Sequence, residues 1–173
     1  GKPYSTYTPE LIRRMKELVD AADVITPNLT ETCMLLGEEC PPVMSVAQAR
    51  SWLARLSDKP GIVVIKGVPL IDDDGQKLSN VGFDKESGSF WRIDWDHIPV
   101  HYPGTGDIFT SVLTASLLKG ESLPIALNRA TTFTEIAVKT TYSYGTEPRL
   151  GVLFEDCLSW LMTNTVLCDY RKL

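Results

Sequence analysis

The chain has 173 residues, 43% of them hydrophobic, which is enough apolar material to bury a core in one domain. Seventeen basic against 22 acidic residues give a net charge of −5 without a long basic run, which argues against a nucleic-acid partner. No apolar run approaches the ~18 residues of a membrane span, and no basic leader precedes an apolar stretch, so we expect neither a membrane partner nor secretion.

Cysteines and histidines give no sign of a metal site. His97 and His101 lie four residues apart in a loop that proline interrupts, so no helix presents them to one metal. The cysteines show no C-x-x-C spacing and have apolar neighbours, which favours reduced thiols in a cytoplasmic protein over zinc or a disulfide framework. There are four of them: Cys33, Cys40, Cys157 and Cys168.

The first half of the chain alternates helix and strand signals. Thr8 followed by Pro9 is a typical helix start, and the apolar positions after it share one face. The β-branched run 62–65 predicts a strand buried on both faces. The predicted elements are helices from Pro9 to about Ala22, from Asn28 or Thr30 to Gly37 and from Ser45 to before Pro60, and strands over 23–26 and 62–65, the second ending at Lys66-Gly67.

The second half begins with a change of pattern. Between Pro69 and Trp95, two turns and an alternation of aromatic and polar residues predict antiparallel strands near the sheet edge. Helices are predicted over 108–118, from Ser122 through Ala137 and over 153–162, with a loose tail from Asn164. This order predicts an open α/β sheet with helices on both faces, in which ligands bind outside the carboxyl ends of the strands.

The glycine-rich turn Gly104-Thr105-Gly106-Asp107 is the strongest functional signal. Two glycines let the backbone approach a ligand closely, and the start of the following helix offers unpaired N–H groups and the positive end of its dipole. This pattern predicts an anion site. Asp107 would repel a bound phosphate, so we interpret it as a catalytic base; the alternative is a loop whose acidic residue only favours the helix dipole.

Two further polar clusters follow predicted strands, namely Thr26 to Glu31 and Lys66. Phosphoryl transfer needs a cation along the phosphates, a carboxylate for magnesium and a base for the attacking hydroxyl. Lys66, Glu31 and Asp107 would supply these parts. Equally, Lys66 could be a snorkelling surface lysine and Glu31 a first-turn residue that favours the dipole.

The segment from Arg92 to Trp95 has two open interpretations. Arg92 and Asp94 alternate with Trp91, Ile93 and Trp95, so they would project from the opposite face of a strand. That face could be a ledge for a nucleotide or simply the polar side of an amphipathic edge strand.

Three segments in this order and spacing resemble the ribokinase-like superfamily, and within it the pyridoxal (vitamin B6) kinases. They are 23–31 (DVITPNLTE), 65–67 (IKG) and 104–109 (GTGDIF). The resemblance implies an α/β/α three-layer sandwich. It also implies transfer of the ATP γ-phosphate, with magnesium, to the hydroxymethyl group of pyridoxal, pyridoxine or pyridoxamine in a cytoplasmic enzyme that is often a homodimer.

Carried over by position, the resemblance assigns Asp107 as the base and Gly104, Thr105 and Gly106 as the anion hole. Glu31 would lie near magnesium and phosphate. The nucleotide would be lined by Thr26, Asn28, Lys66, Arg92, Ile93, Asp94 and Trp95, with adenine near this ledge and the helix that begins at Ser122.

The resemblance covers essentially all of residues 1–173, but only about the C-terminal three-fifths of a family member. The chain starts at Gly1 without methionine, so we interpret residues 1–173 as the nucleotide-binding and catalytic portion of such a kinase. The part that supplies most pyridoxal contacts in the family is absent, and we expect the isolated chain to be inactive. The alternatives are a hydroxymethylpyrimidine/phosphomethylpyrimidine kinase and a non-catalytic nucleotide-binding fragment.

Overall fold

The computed structural model describes residues 8–163 and 167–173. The chain forms two compact units, residues 1–92 with 171–173 and residues 93–170. Among the described residues, no helix combines the length and hydropathy that a membrane span requires.

The first unit is built on a mixed sheet in the order β1-β3-β4-β5-β6, with β2 paired to β3. The long strand β3 pairs in parallel with β1 along its first part and with β2 along its second, and antiparallel with β4 throughout. Its elements are α1 (Pro9–Asp20), β1 (Val24–Ile25), α2 (Leu29–Leu36), β2 (Met44–Ser45), α3 (Val46–Leu56), β3 (Ile62–Asp72), β4 (Gly75–Asp84), β5 (Ser89–Trp95, in which the boundary between the units falls) and β6 (Arg171–Lys172).

The core of this unit lies between β3 and the helices that contact it, α2 and α3. Val63, Val64 and Ile65 are fully buried, which confirms the prediction of a strand covered on both faces. On α3, Trp52 and Leu53 face the same core, as their helical spacing predicts.

β3 does not end at Lys66-Gly67, where the sequence pattern predicts its end. The register with β4 shifts between Ile65 and Val68, and pairing then continues to Asp72. Gly67 absorbs the irregularity with a φ of 66°, and its N–H donates to Oδ1 of Asn80 at 3.0 Å. The strand therefore passes through a bulge, because glycine and a side-chain acceptor satisfy the backbone there.

The prediction of four reduced cysteines is wrong for one pair. Cys33 and Cys40 form a disulfide with their Cα atoms 5.6 Å apart, while Cys157 and Cys168 are free. Gly37 ends α2 in the left-handed conformation, with a φ of 70°, and turns the chain back along the helix. A spacing of seven residues does not reveal this reversal.

The second unit contains α4 (Thr105–Leu118), α5 (Leu123–Tyr144) and α6 (Leu158–Leu161), with 3₁₀ turns at Pro148–Leu150 and Glu155–Cys157. α4 and α5 pack along each other and bury Phe109, Leu113 and Phe133, so the two predicted helices are confirmed.

The predicted helix 153–162 is mostly absent. The N–H of Leu153 donates to Oγ1 of Thr141 at 2.8 Å, so this residue is tied to α5, and only the short α6 forms. The predicted loose tail is wrong at its end, because Arg171–Lys172 pairs with β5, whereas residues 167–170 have no regular secondary structure. Residues 164–166 lie outside the described part of the chain.

Candidate active site

The glycine-rich motif forms the start of α4 rather than a loop before it. Gly104 is the N-cap, with a φ of 86° that favours glycine, and Thr105 is already helical. The N–H groups of Asp107 and Ile108 both donate to the carbonyl of Gly104 at 3.1 Å. The outermost donors of the helix are therefore the N–H groups of Thr105 and Gly106.

No side chain of the described residues caps this helix end. Thr105 is instead hydrogen-bonded to the preceding segment, because its hydroxyl donates to the carbonyl of buried Tyr102 at 3.2 Å. Exposed N–H groups at a helix start, with the positive end of the dipole, attract anions such as phosphate. The geometry thus supports the predicted anion site, with the donors in the first turn of the helix.

Asp107 occupies the third position of α4 and is exposed. Within the described chain, its carboxylate makes no hydrogen bond or ion pair; its backbone N–H donates to the carbonyl of Gly104, and its backbone carbonyl accepts the hydroxyl of Ser111 at 2.8 Å. A carboxylate that forms no hydrogen bond or ion pair within the protein is able to accept a proton from a ligand.

A cavity of about 660 Å³ opens beside Asp107 and follows α4. Its walls are mainly apolar and include Ile108, Val112 and Phe133, while Lys119 lies at the other end of the helix. A small molecule with an apolar ring could approach Asp107 from this side.

In the first unit, β1 and β3 bring the second group of predicted residues together. Asn28 forms an isolated parallel bridge with Lys66, and the N–H of Lys66 donates to the carbonyl of Pro27 at 2.9 Å. Lys66 is half-buried and lies where β3 changes its parallel partner from β1 to β2. The predicted proximity of segment 26–31 to Lys66 is therefore present, at the bulge and not at a strand end.

Glu31 takes part in a capping box at the start of α2. Its Oε2 accepts the N–H of Asn28 at 2.8 Å, and Oδ1 of Asn28 accepts the N–H of Glu31 at 2.8 Å. Glu31 thus stabilises the start of its own helix, through the capping box. Its other carboxylate oxygen has no protein partner among the described residues, so a role at a metal is compatible with the cap.

The open carboxylate oxygen of Glu31 fits a magnesium site only if the phosphates of the nucleotide supply further ligands. Residues 8–163 and 167–173 contain no cluster of three or more side chains that could hold a metal by themselves. Magnesium commonly keeps several waters and binds through one or two carboxylates plus substrate phosphates, for which one oxygen of Glu31 is sufficient.

The side chains of β5 do not alternate between an apolar and a polar face as the sequence predicts. Arg92 is buried, with Nη2 2.5 Å from Oδ2 of Asp72, and Ile93 is also buried, so neither face of the strand is simply polar. Burial by itself would raise the pKa of Asp72, but the hydrogen bonds from Arg92 and the backbone of Asp74 hold it below its usual value. Because Arg92 is engaged within the fold, it does not project from an open polar face of β5, which both interpretations of this segment assume. Trp95 is half-buried, and its indole nitrogen is buried without a partner among the described residues.

Sequence reasoning missed two supporting residues. Asn80 accepts the N–H of Gly67 next to Lys66, and Tyr102 anchors Thr105. The only available signal for Asn80 is an asparagine inside a strand pattern, which is unusual and can mark a bulge.

The mixed α/β fold, with a central sheet and helices, places the chain in the ribokinase-like fold class. The predicted fold class is confirmed by solved structures that match the whole chain. A family model for phosphomethylpyrimidine kinase matches residues 4–150, so the chain belongs to the phosphomethylpyrimidine kinase family.

Three relatives illustrate the likeness. A Bacteroides thetaiotaomicron protein described as a phosphomethylpyrimidine kinase and solved with pyridoxal is 38% identical, with a TM-score of 0.92; the match covers 100% of this chain and 60% of that one. Pyridoxal kinase from Lactobacillus plantarum is 28% identical, with a TM-score of 0.79 over 94% of this chain and 57% of that one.

The third is a hydroxymethylpyrimidine/phosphomethylpyrimidine kinase of Haemophilus influenzae, 30% identical over 130 residues, which are 75% of this chain and 48% of that protein. The chain spans about half the length of such curated relatives.

Proposed function

We propose that this chain carries the nucleotide-binding and phosphoryl-transfer residues of a kinase that phosphorylates the hydroxymethyl group of a vitamin B6 compound. The phosphate donor is ATP with magnesium. The observation that carries the proposal is the start of α4, where N–H groups without a side-chain cap and an unengaged carboxylate, Asp107, occupy the same helical turn.

Each residue of this turn has a role in the proposed reaction. The hydroxymethyl oxygen of the acceptor attacks the γ-phosphorus, and its proton passes to Asp107 as the bond to ADP breaks. The N–H groups of Thr105 and Gly106, behind the N-cap Gly104, stabilise the negative charge on the phosphoryl oxygens.

The first unit supplies the phosphate and magnesium contacts of the nucleotide in this proposal. Lys66 binds the phosphates, Glu31 uses its open oxygen for magnesium through a ligand or a water, and Thr26 and Asn28 flank the phosphates. The nucleotide also contacts the ledge of Arg92, Ile93, Asp94 and Trp95. Because Asp72 holds the guanidinium of Arg92, this residue contributes its backbone and not its charge.

Pyridoxal is the first candidate acceptor because it is bound to the solved neighbour at 38% identity. Hydroxymethylpyrimidine or its phosphate is the second, because several curated relatives at about 30% identity bear that name. Both are flat heteroaromatic alcohols, so the chemistry at Asp107 is the same. As in the resembling family, we propose a cytoplasmic homodimer.

The test is a coupled assay of ADP release by the full-length gene product, with pyridoxal, pyridoxine, pyridoxamine, hydroxymethylpyrimidine and its phosphate as acceptors. We expect the highest kcat/KM for a B6 compound. Preference for a pyrimidine would establish the second candidate, and nucleotide binding without transfer to any of the five acceptors would contradict the kinase proposal.

A further inference from the structure

The disulfide of α2 joins a buried sulfur to an exposed one. Cys33 lies inside the core at 4% exposure, whereas Cys40 is exposed on the segment after the helix. An external thiol can therefore reach the sulfur of Cys40 but not that of Cys33.

The disulfide reaches back to the start of the same helix. Sγ of Cys40 lies 3.9 Å from the carbonyl oxygen of Leu29, the first residue of α2 and the neighbour of the N-cap Asn28. Segment 37–40 thus runs along the helix from its C-terminal end to its first turn. One covalent bond joins this segment to α2 at Cys33, two residues after Glu31.

α2 depends on such support because it has only eight residues. Helices of this length are not stable through propensity alone and rely on caps and packing. The N–H of Glu38 donates to the carbonyl of Cys33 at 2.9 Å, and Glu38 pairs with Arg55 at 2.7 Å. Both residues of the pair are exposed, so the pair stabilises the segment only weakly, and the disulfide is the covalent link between the segment and α2.

We propose that Cys33 and Cys40 form a redox modification site that tunes nucleotide binding at the start of α2. The inference rests on the proposed function, since the nucleotide is its ligand. In the oxidised state the disulfide holds segment 37–40 and the capping box of Asn28 and Glu31 in place. In the reduced state the segment is released, α2 frays more often and nucleotide affinity falls.

The chemistry is thiol–disulfide exchange with a dithiol reductant. One thiolate of the dithiol attacks Sγ of Cys40, the bond to Sγ of Cys33 breaks, and Cys33 leaves as a thiolate that takes up a proton. The second thiol of the reductant then attacks the mixed disulfide, releasing Cys40 as a thiol and the reductant as a cyclic disulfide. Two electrons and two protons pass to the protein, and a disulfide oxidant reverses the reaction.

The experiment uses the full-length protein in buffers with varied ratios of reduced to oxidised dithiothreitol, a dithiol whose oxidised form is a cyclic disulfide. Mass spectrometry after alkylation reports the state of each cysteine, titration calorimetry measures the dissociation constant of magnesium-ATP, and hydrogen exchange follows residues 28–36. We expect reduction to weaken magnesium-ATP binding about fivefold, a change within the usual range of coupling between sites. Exchange at 28–36 should become faster in parallel.

Two variants make the outcome specific. Cys40→Ser removes an exposed sulfur, so the core is unchanged, and it should match the reduced wild type in every buffer. Cys168→Ser, which changes an exposed free cysteine, should respond like the wild type.

Alkylation of both Cys33 and Cys40 in the oxidising buffer would overturn the inference, as would equal ATP affinity in both states. A protein that binds no magnesium-ATP in either state would contradict the proposed function instead. Hydrogen exchange would then decide the redox inference alone, and unchanged exchange at 28–36 would reject it.

Discussion

The helices α2 and α4 both have a carboxylate in the first turn and use it in opposite ways. At α2, Asn28 and Glu31 form a reciprocal capping box, so the fold itself satisfies the helix end. At α4, Gly104 is the N-cap, no side chain of the described residues caps the end, and Asp107 stays unengaged. A carboxylate in a first turn is therefore not informative by itself; what identifies a reactive group is that the protein leaves it and the nearby N–H groups available.

The largest effect should come from Asp107→Asn. If Asp107 is the base, kcat should fall by ~10²-fold or more, about 2.7 kcal/mol, while ATP affinity stays within a few-fold. Steady-state kinetics and ATP titration on the full-length protein measure both quantities. Asp156→Asn, an exposed acid in the same unit, is the matched control and should keep wild-type kinetics. Near-normal turnover by Asp107→Asn would return it to the role of favouring the helix dipole.

Glu31→Gln tests whether the capped helix end also serves the ligand. Glutamine can still accept the N–H of Asn28, so the free energy of unfolding should change by less than about 0.5 kcal/mol. Magnesium-dependent ATP affinity should nevertheless fall about tenfold, because the charge is lost. Urea unfolding and ATP titration with and without magnesium separate the two effects, with Glu39→Gln as control. An unchanged magnesium dependence would leave Glu31 with a capping role only.

Lys66→Ala should weaken ATP binding by up to about tenfold and adenosine binding much less, because a lysine contact acts on the phosphates. The ratio of the two affinities, measured by calorimetry at one salt concentration, is the decisive quantity. Lys59→Ala, an exposed lysine of the same unit, should leave the ratio unchanged. Equal losses for both ligands would indicate a structural role at the bulge.

The smallest effect is on stability. Asn28→Ala should lower the free energy of unfolding by about 1 kcal/mol through loss of the cap. Thr105→Ala should cost about 0.5 kcal/mol, since it loses only the hydrogen bond to the carbonyl of Tyr102. Denaturant unfolding compares the two variants. A larger loss of unfolding free energy for Thr105→Ala than for Asn28→Ala would show that the protein stabilises the start of α4 at least as strongly as the capped start of α2.

Local signals in the sequence were sufficient for most of the elements. The caps at Thr8, Asn28 and Ser45 and the buried run 62–65 all have the predicted structure, because caps and hydrophobic periodicity act within a few residues. The glycine motif of α4 was recognised for the same reason. The roles of the candidate site residues remain predictions.

The sequence by itself determined the α/β class, the starts of α1, α2, α3 and α5 and the positions of Asp107, Glu31 and Lys66 in the chain, since these depend on short-range patterns. Only the tertiary structure decided that Arg92 pairs with Asp72 and Cys33 with Cys40, whereas Asn28 pairs with Glu31 through a local capping box. The bulge at Gly67 and the pairing of Arg171–Lys172 with β5 were decided in the same way. Each of these pairings except that of Glu31 joins residues outside the hydrogen-bonding range of a local motif, and partners that meet only through folding leave no periodic or capping signal in the chain.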